Sequence, residues 1–111
     1  MTLAELIGWL DQRTDHTFLA GTAQESLEQA RSGSHPDPIA AEVLAAIAEG
    51  CGCETAEGPV ERAAVVTSLG PLRLKYQADD APVEGFRLMR EAVIAVDEAF
   101  DNEALAQKAG S

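Results

Sequence analysis

The chain has 111 residues and a formal net charge of −11, with 46% hydrophobic and 24% charged residues. This composition predicts one folded domain over residues 1–111 and is unlike that of an intrinsically disordered chain. The excess of acidic residues argues against nucleic-acid binding through a basic face, and it opposes binding to anionic membranes.

The first residues predict a short amphipathic helix rather than a targeting segment. Thr2 and Glu5 have the spacing of a capping box. Apolar residues follow at helical intervals: Leu3, Leu6, Ile7 and Leu10. No basic region precedes them, and no apolar run approaches the ~20 residues that span a bilayer. We therefore expect a cytoplasmic protein without a membrane span, whose thiols are reduced.

Two more helices are predicted in the first half of the chain. The second helix is predicted within residues 16–33 and ends at Gly33. Thr22 and Glu25 repeat the capping-box spacing, so a later start at Thr22, with residues 15–21 as a turn, is the alternative. The third helix has Asp37 as its cap, Pro38 at its first position and Gly50 at its end.

Residues 60–77 are consistent with two interpretations. In one, two short helices are separated by a break at Gly70 and Pro71. In the other, a short β-hairpin over about residues 63–77 turns at the same two residues, because the stretch is rich in β-branched residues and alternates polar with apolar. We favour the helices, since two isolated strands make a marginal sheet. The predicted fold class is all-α, a small bundle of four to five helices, with α+β as the alternative.

The last predicted helix follows Asp80 and Pro82 and carries the candidate interface. Its apolar residues recur at heptad spacing: Phe86, Met89, Val93, Val96 and Phe100. We expect residues 83–100 to form the contact helix of a homodimer or to bind a protein partner, because this face is richer in large apolar residues than a small monomer easily covers. The same spacing also suits the core of a monomeric bundle.

Charge is distributed unevenly along the chain. No basic residue lies between Arg31 and Arg62, whereas residues 62–90 contain five basic residues and three acidic ones. Opposite charges on two segments favour docking of one on the other, within one chain or between two chains.

Cys51 and Cys53, in the segment EGCGCETAEGP, are the candidate metal-binding or redox residues. Structural zinc takes four ligands, and only His16 and His35, which lie in other segments, could complete such a set. The neighbouring glutamates disfavour a reactive thiolate. We therefore interpret the segment mainly as a turn that ends the third helix, with a thiol-based metal or redox function as the alternative.

No catalytic or phosphate-binding motif occurs in the sequence. Residues 72–96, LRLKYQADDAPVEGFRLMREAVIAV, resemble the helix pair near the end of helical sensor modules in bacterial stress-signalling and transcription regulators. The resemblance implies a sensor or regulatory role. We predict a non-catalytic interaction or regulatory module without a cofactor, and a helical bundle that binds a small molecule is a further alternative.

Overall fold

The computed structural model describes residues 1–109 and consists of five α-helices. They are α1 (Leu3–Arg13), α2 (Ala23–Ser32), α3 (Pro38–Gly50), α4 (Arg62–Gln77) and α5 (Val83–Ala109). No β-strand occurs within residues 1–109. The all-α prediction is therefore confirmed, and the α+β alternative is wrong.

The ends of the first two helices are set by local hydrogen bonds, as the sequence predicts. Thr2 and Thr22 each accept a hydrogen bond from the backbone N–H three residues later. The carboxylates of Glu5 and Glu25 accept in return from the backbone N–H of the two threonines. Gly33, at φ +79°, closes α2 in the left-handed conformation. Both capping boxes thus satisfy donors that a helix start would otherwise leave unpaired.

Asp37 ties the start of α3 to the connection between α1 and α2. One of its carboxylate oxygens accepts from the N–H of Ala40, and the other accepts from the N–H of Thr17 and lies 2.8 Å from Nδ1 of His16. Partial burial opposes ionisation of Asp37, but these hydrogen bonds outweigh it and lower its pKa. The backbone N–H of Asp37 donates to Nδ1 of His35. Both histidines therefore belong to the hydrogen-bond network around Asp37.

The helices form a closed ring, because each one packs against its neighbours in sequence and α5 returns to α1. Every helix contributes side chains to one continuous hydrophobic core. The fully buried leucines include one from each helix in chain order: Leu6, Leu27, Leu44, Leu69 and Leu88. The C-terminal helix is thus bound on both sides, by α1 and by α4.

α4 is a single helix, so the predicted break at Gly70 and Pro71 is wrong. Pro71 lies inside the helix and removes one backbone hydrogen bond. The apparent alternation has a helical explanation, since Tyr76 is buried while Leu74 points outward and is 73% exposed. Val65 is also fully buried, although β-branched residues favour strands. Packing of this apolar face on α3 and α5 outweighs the local preference for a break.

Two glycines allow α4 to lie close to both of its neighbours. A Cβ on Gly50 of α3 would overlap Ser68, and one on Gly85 of α5 would overlap the ring of Tyr76. The hydroxyl of Tyr76 donates to Oε1 of Glu42 on α3 at 2.7 Å. The Tyr76 ring is therefore held between α3 and α5, which fixes the position of the second half of α4.

The contact of Tyr76 with Gly85 gives a test of this packing. Gly85→Ala should lower the free energy of unfolding by about 1–3 kcal/mol, because the added methyl group overpacks the contact. Gly8→Ala in α1 is the matched control, since nothing lies within 4 Å of its Cβ position. It should raise the free energy of unfolding by about 0.5–1 kcal/mol through helix propensity. Urea unfolding followed by circular dichroism measures both free energies of unfolding. If Gly85→Ala stabilised the protein as Gly8→Ala does, the close contact would be contradicted.

Asp37→Ala should lower the free energy of unfolding by about 1–2 kcal/mol, because the cap of α3 is lost. Since the pKa of Asp37 is lowered in the fold, its ionised form stabilises the protein above its ordinary pKa of 3.8. This contribution is lost as the pH falls through the lowered value, so the difference between wild type and variant should shrink in acid. Urea unfolding at several pH values measures it.

Asp79→Ala removes the same charge from an exposed turn and is the control. The Asp79 side chain forms no hydrogen bond or ion pair with any described residue. Its effect should stay within about 0.5 kcal/mol. An equal loss of stability in both variants would show that net charge, and not the cap, is responsible.

Candidate functional site

The segment that contains Cys51 and Cys53 ends α3 with a Schellman motif. The N–H of Cys53 donates to the carbonyl of Ala48 at 2.8 Å, and that of Gly52 donates to the carbonyl of Glu49 at 3.2 Å. Gly52 has φ +68°, the left-handed conformation that this motif requires. The glycine between the two cysteines therefore has a backbone role.

The rest of this loop supports the start of α1. The carbonyls of Gly58 and Ala56 accept from the N–H groups of Leu3 and Ala4 at 2.9 and 2.8 Å. These are two of the donors that a helix start leaves unpaired. The guanidinium of Arg31 donates to two carbonyls at the beginning of the loop. The loop between α3 and α4 is thus a connected part of the fold.

The thiols themselves lie in an unreactive setting. Cys53 is buried and Cys51 is half-buried. Burial raises the pKa of the Cys51 thiol, and this effect outweighs a backbone hydrogen bond from Glu61 that lowers it. Within residues 1–109, no three His, Cys, Asp or Glu side chains are grouped to hold a metal ion. His16 and His35 form hydrogen bonds with other groups and do not join the two cysteines. The metal site therefore has no third ligand, and the metal or redox function stays a prediction.

An apolar groove of about 210 Å³ lies between the second half of α4 and the first half of α5. Its walls include Tyr76 from α4 and four residues from α5: Phe86, Met89, Val93 and Ile94. Phe86 is 43% exposed and Ile94 is 57% exposed. We call this feature the α4–α5 groove. It is where the first half of α5 presents large apolar side chains to solvent.

The groove contains only part of the interface that the sequence predicts. Phe86, Met89 and Val93 line it, although Met89 is also part of the core; Val96 and Phe100 are buried in the core and do not line the groove. The heptad spacing therefore mainly reflects packing of α5 against α1 and α4. Ile94 lies outside the heptad positions, yet it is among the most exposed large apolar residues of α5. Dimerisation itself stays a prediction.

Most basic side chains have partners within the chain. Three of them form ion pairs: Arg13 with Glu98, Arg62 with Asp97 and Asp101, and Lys75 with Glu42. The pair of Lys75 and Glu42 joins the basic segment to the acidic one. Arg31 binds backbone carbonyls, as described above.

The arginines around the groove differ from these. Arg73 and Arg90 line the groove, and Arg87 lies one turn of α5 before Arg90. Arg73 and Arg87 form no hydrogen bond or ion pair with any described residue. Arg90 forms no ion pair either, and its guanidinium lies 6.0 Å from the centre of the Phe86 ring. The positive charge beside the groove is thus available to another molecule.

Glu42 holds one wall of the groove in place. Its carboxylate accepts from the hydroxyl of Tyr76 and from Nζ of Lys75, both at 2.7 Å. Partial burial opposes ionisation of Glu42, but these two hydrogen bonds outweigh it and lower its pKa. Burial and the hydrogen bond to Glu42 raise the pKa of Tyr76, so its hydroxyl remains a donor. The aromatic ring of Tyr76, which forms one wall of the groove, is therefore held in place.

The setting of the two thiols predicts their reactivity. At about pH 8, near the ordinary pKa of a thiol, iodoacetamide should alkylate Cys51 slowly and Cys53 only after unfolding. The raised pKa of Cys51 leaves less thiolate at a given pH, and burial blocks access to Cys53. Intact-protein mass spectrometry counts the alkyl groups, with urea-unfolded protein as the control. Rapid double alkylation of the folded protein would contradict this loop structure.

No protein-family model, curated protein or solved structure matches the chain. Within residues 1–109, no helix has an apolar stretch of the length needed to span a membrane. The resemblance of residues 72–96 to helical sensor modules stays a prediction. The α4–α5 groove and its arginines are therefore the features of the fold that bear on function.

Proposed function

We propose that the protein is a non-catalytic interaction module that binds a helical segment of a polypeptide in the α4–α5 groove. One observation carries this proposal. Exposed apolar walls lie beside arginines that have no ionic partner in a chain whose net charge is −11. Grooves of this kind between two helices accept the apolar face of a third helix.

The size of the groove favours side chains over a free small molecule as its occupant. Its volume of about 210 Å³ is below the range of about 300–1,000 Å³ that is usual for sites of drug-sized ligands. Burial of Phe86 and Ile94 under a partner would contribute affinity at roughly 25 cal/mol per Å² of apolar surface removed from water. The groove therefore suits one or two apolar side chains of a docking helix.

The arginines indicate the chemistry of the rest of the docking segment. A guanidinium binds a carboxylate through two parallel hydrogen bonds, so Arg73 and Arg90 favour a segment with acidic residues beside its apolar ones. Exposed pairs of this type contribute only about 0.2–1 kcal/mol each. They determine the orientation and choice of partner more than the affinity.

A second hollow, of about 470 Å³, lies between α1 and the last turns of α5. Its two carboxylates already have partners, since Glu103 binds the amino group of Met1 at 2.7 Å and Glu5 caps Thr2. Trp9 also lines it, and the indole N–H of this residue is buried without a hydrogen-bond partner among the described residues. The volume of this hollow lies within the usual range for small ligands, but it lacks the unpaired charged side chains that flank the groove, so it gives the small-molecule alternative less support than the groove gives to peptide binding.

Site-specific photo-crosslinking tests the proposal. p-Benzoylphenylalanine at Phe86 should form adducts with a defined polypeptide in the cells that make the protein, because the side chain lines the groove. Glu28 is the control position, since it is exposed on α2, whose main contacts are with α1 and α3. Arg90→Glu should reduce the yield from position 86. Absence of adducts, or equal adducts from both positions, would contradict binding in the groove.

A further inference from the structure

The solvent-facing side of α5 has a symmetric pattern centred on Ile94. We call this the α5 outer face, and its residues are all exposed: Val83, Arg87, Arg90, Ile94, Glu98, Asp101 and Leu105. Arginines lie on one side of Ile94 and acidic residues on the other. Large apolar residues lie at both ends, where Val83 is 69% and Leu105 is 65% exposed.

These positions share one face because of their spacing. The residues lie four, seven and eleven positions from Ile94 in each direction. At 3.6 residues per turn, such offsets place all of them within about 40° of Ile94 around the helix axis. An eleven-residue spacing drifts little around a straight helix, so the face stays aligned along its whole length.

We propose that the α5 outer face binds the same face of a second copy of this chain in antiparallel orientation. The two-fold axis passes beside Ile94. This proposal rests on the proposed function, because the helical partner that it names, α5 of another copy, lies along Arg90 and Ile94, the two residues that the α5 outer face shares with the α4–α5 groove. A two-fold axis brings residues at equal distances on either side of Ile94 opposite each other. The facing pairs are Ile94 with itself, Arg90 with Glu98, Arg87 with Asp101, and Val83 with Leu105.

The second half of α5 has the chemistry that the groove selects. It is helical, it carries Glu98 and Asp101, and its exposed large apolar residue on this face is Leu105. Glu98 and Asp101 have partners in Arg13 and Arg62, but their side chains are still 48% and 69% exposed. Each carboxylate therefore keeps surface for a second donor from another copy.

The end of α5 supports the same occupant. All side chains of residues 104–108 are exposed, on every side of the helix, so this part of α5 is much less covered than the turns before it. At 1.5 Å per residue, Leu105 lies about 16 Å from the proposed axis, the same distance as Val83 on the other side. In the antiparallel pair the exposed end of one copy lies along the start of α5 in the other.

One pair of like charges opposes the arrangement. Glu91 and Asp97 lie three residues on either side of Ile94, at the edges of the face, and would approach each other. Each already accepts a hydrogen bond within its own chain, from the N–H of Asp15 and from Arg62 respectively. A contact made mainly by one helix from each copy is small, so we expect a dimer that depends on concentration.

Charge reversal tests the pairing. Arg90→Glu and Glu98→Arg should each weaken the dimer by at least about tenfold, because each change turns two attractive pairs into two repulsive ones. The double variant Arg90→Glu/Glu98→Arg should restore wild-type dimerisation. An equimolar mixture of the two single variants should form heterodimers, since both facing pairs are then complementary. Sedimentation equilibrium from about 1 µM to about 1 mM measures the dissociation constants.

Glu28→Arg, which makes the same charge change on α2, should leave dimerisation unchanged. Circular dichroism confirms that each variant is folded. A disulfide provides an independent test of the axis, since Ile94→Cys should form a disulfide-linked dimer under mild oxidation. Leu74→Cys is the control, because Leu74 is more exposed than Ile94 but does not lie on the α5 outer face.

Three results would overturn this inference. They are a wild-type protein that is monomeric up to about 1 mM, a dimer that neither single reversal weakens, and a double variant that fails to recover. The crosslinking experiment distinguishes a failure of this inference from a failure of the proposed function. Adducts of position 86 with a different polypeptide, together with a monomeric protein, would support the groove as a binding site and refute self-association. Adducts between two copies would support both.

Discussion

The packing of Tyr76 against Gly85 is the contact on which the candidate site depends. The absence of a side chain at Gly85 lets the ring lie directly on α5, and Glu42 binds its hydroxyl from α3. Three helices therefore meet at one aromatic side chain. The ring is also a wall of the groove, so the contact that stabilises the fold also shapes the surface that is open to solvent. A preformed surface of this kind binds with less loss of conformational entropy than a flexible one.

The helix boundaries could be predicted because the groups that determine them are close in sequence. Thr2, Thr22 and Asp37 each cap a helix through a backbone N–H only three residues away. Gly33 ends α2 with its own backbone conformation. No knowledge of the tertiary structure is needed for interactions of this range, and the all-α class follows once the caps and the apolar periodicity are recognised.

The features that the sequence predicts wrongly or leaves open depend on distant parts of the chain. Pro71 weakens α4 locally, but α4 continues because α3 and α5 cover its apolar face. Heptad spacing shows that one side of α5 is apolar, but it does not show that the ring buries Val96 and Phe100. The same holds for charge. Lys75 meets Glu42 from another helix, whereas Arg73, two residues earlier, meets no carboxylate. The excess of basic residues in the segment 62–90 is visible in the sequence. Only the fold shows which of these residues lie beside the groove without a partner.

The exposed end of α5 makes resistance to proteases depend on whether another molecule covers it. Proteases cleave backbone that opens easily, and helix turns whose side chains are all exposed open more easily than turns packed in a core. The exposed turns at residues 104–108 are therefore the natural first site of cleavage in an isolated chain. A molecule that covers these turns shields them, so an unbound copy would be degraded sooner than a bound one. If the proposed partner covers these turns, the amount of the protein follows the amount of that partner without a separate regulatory element.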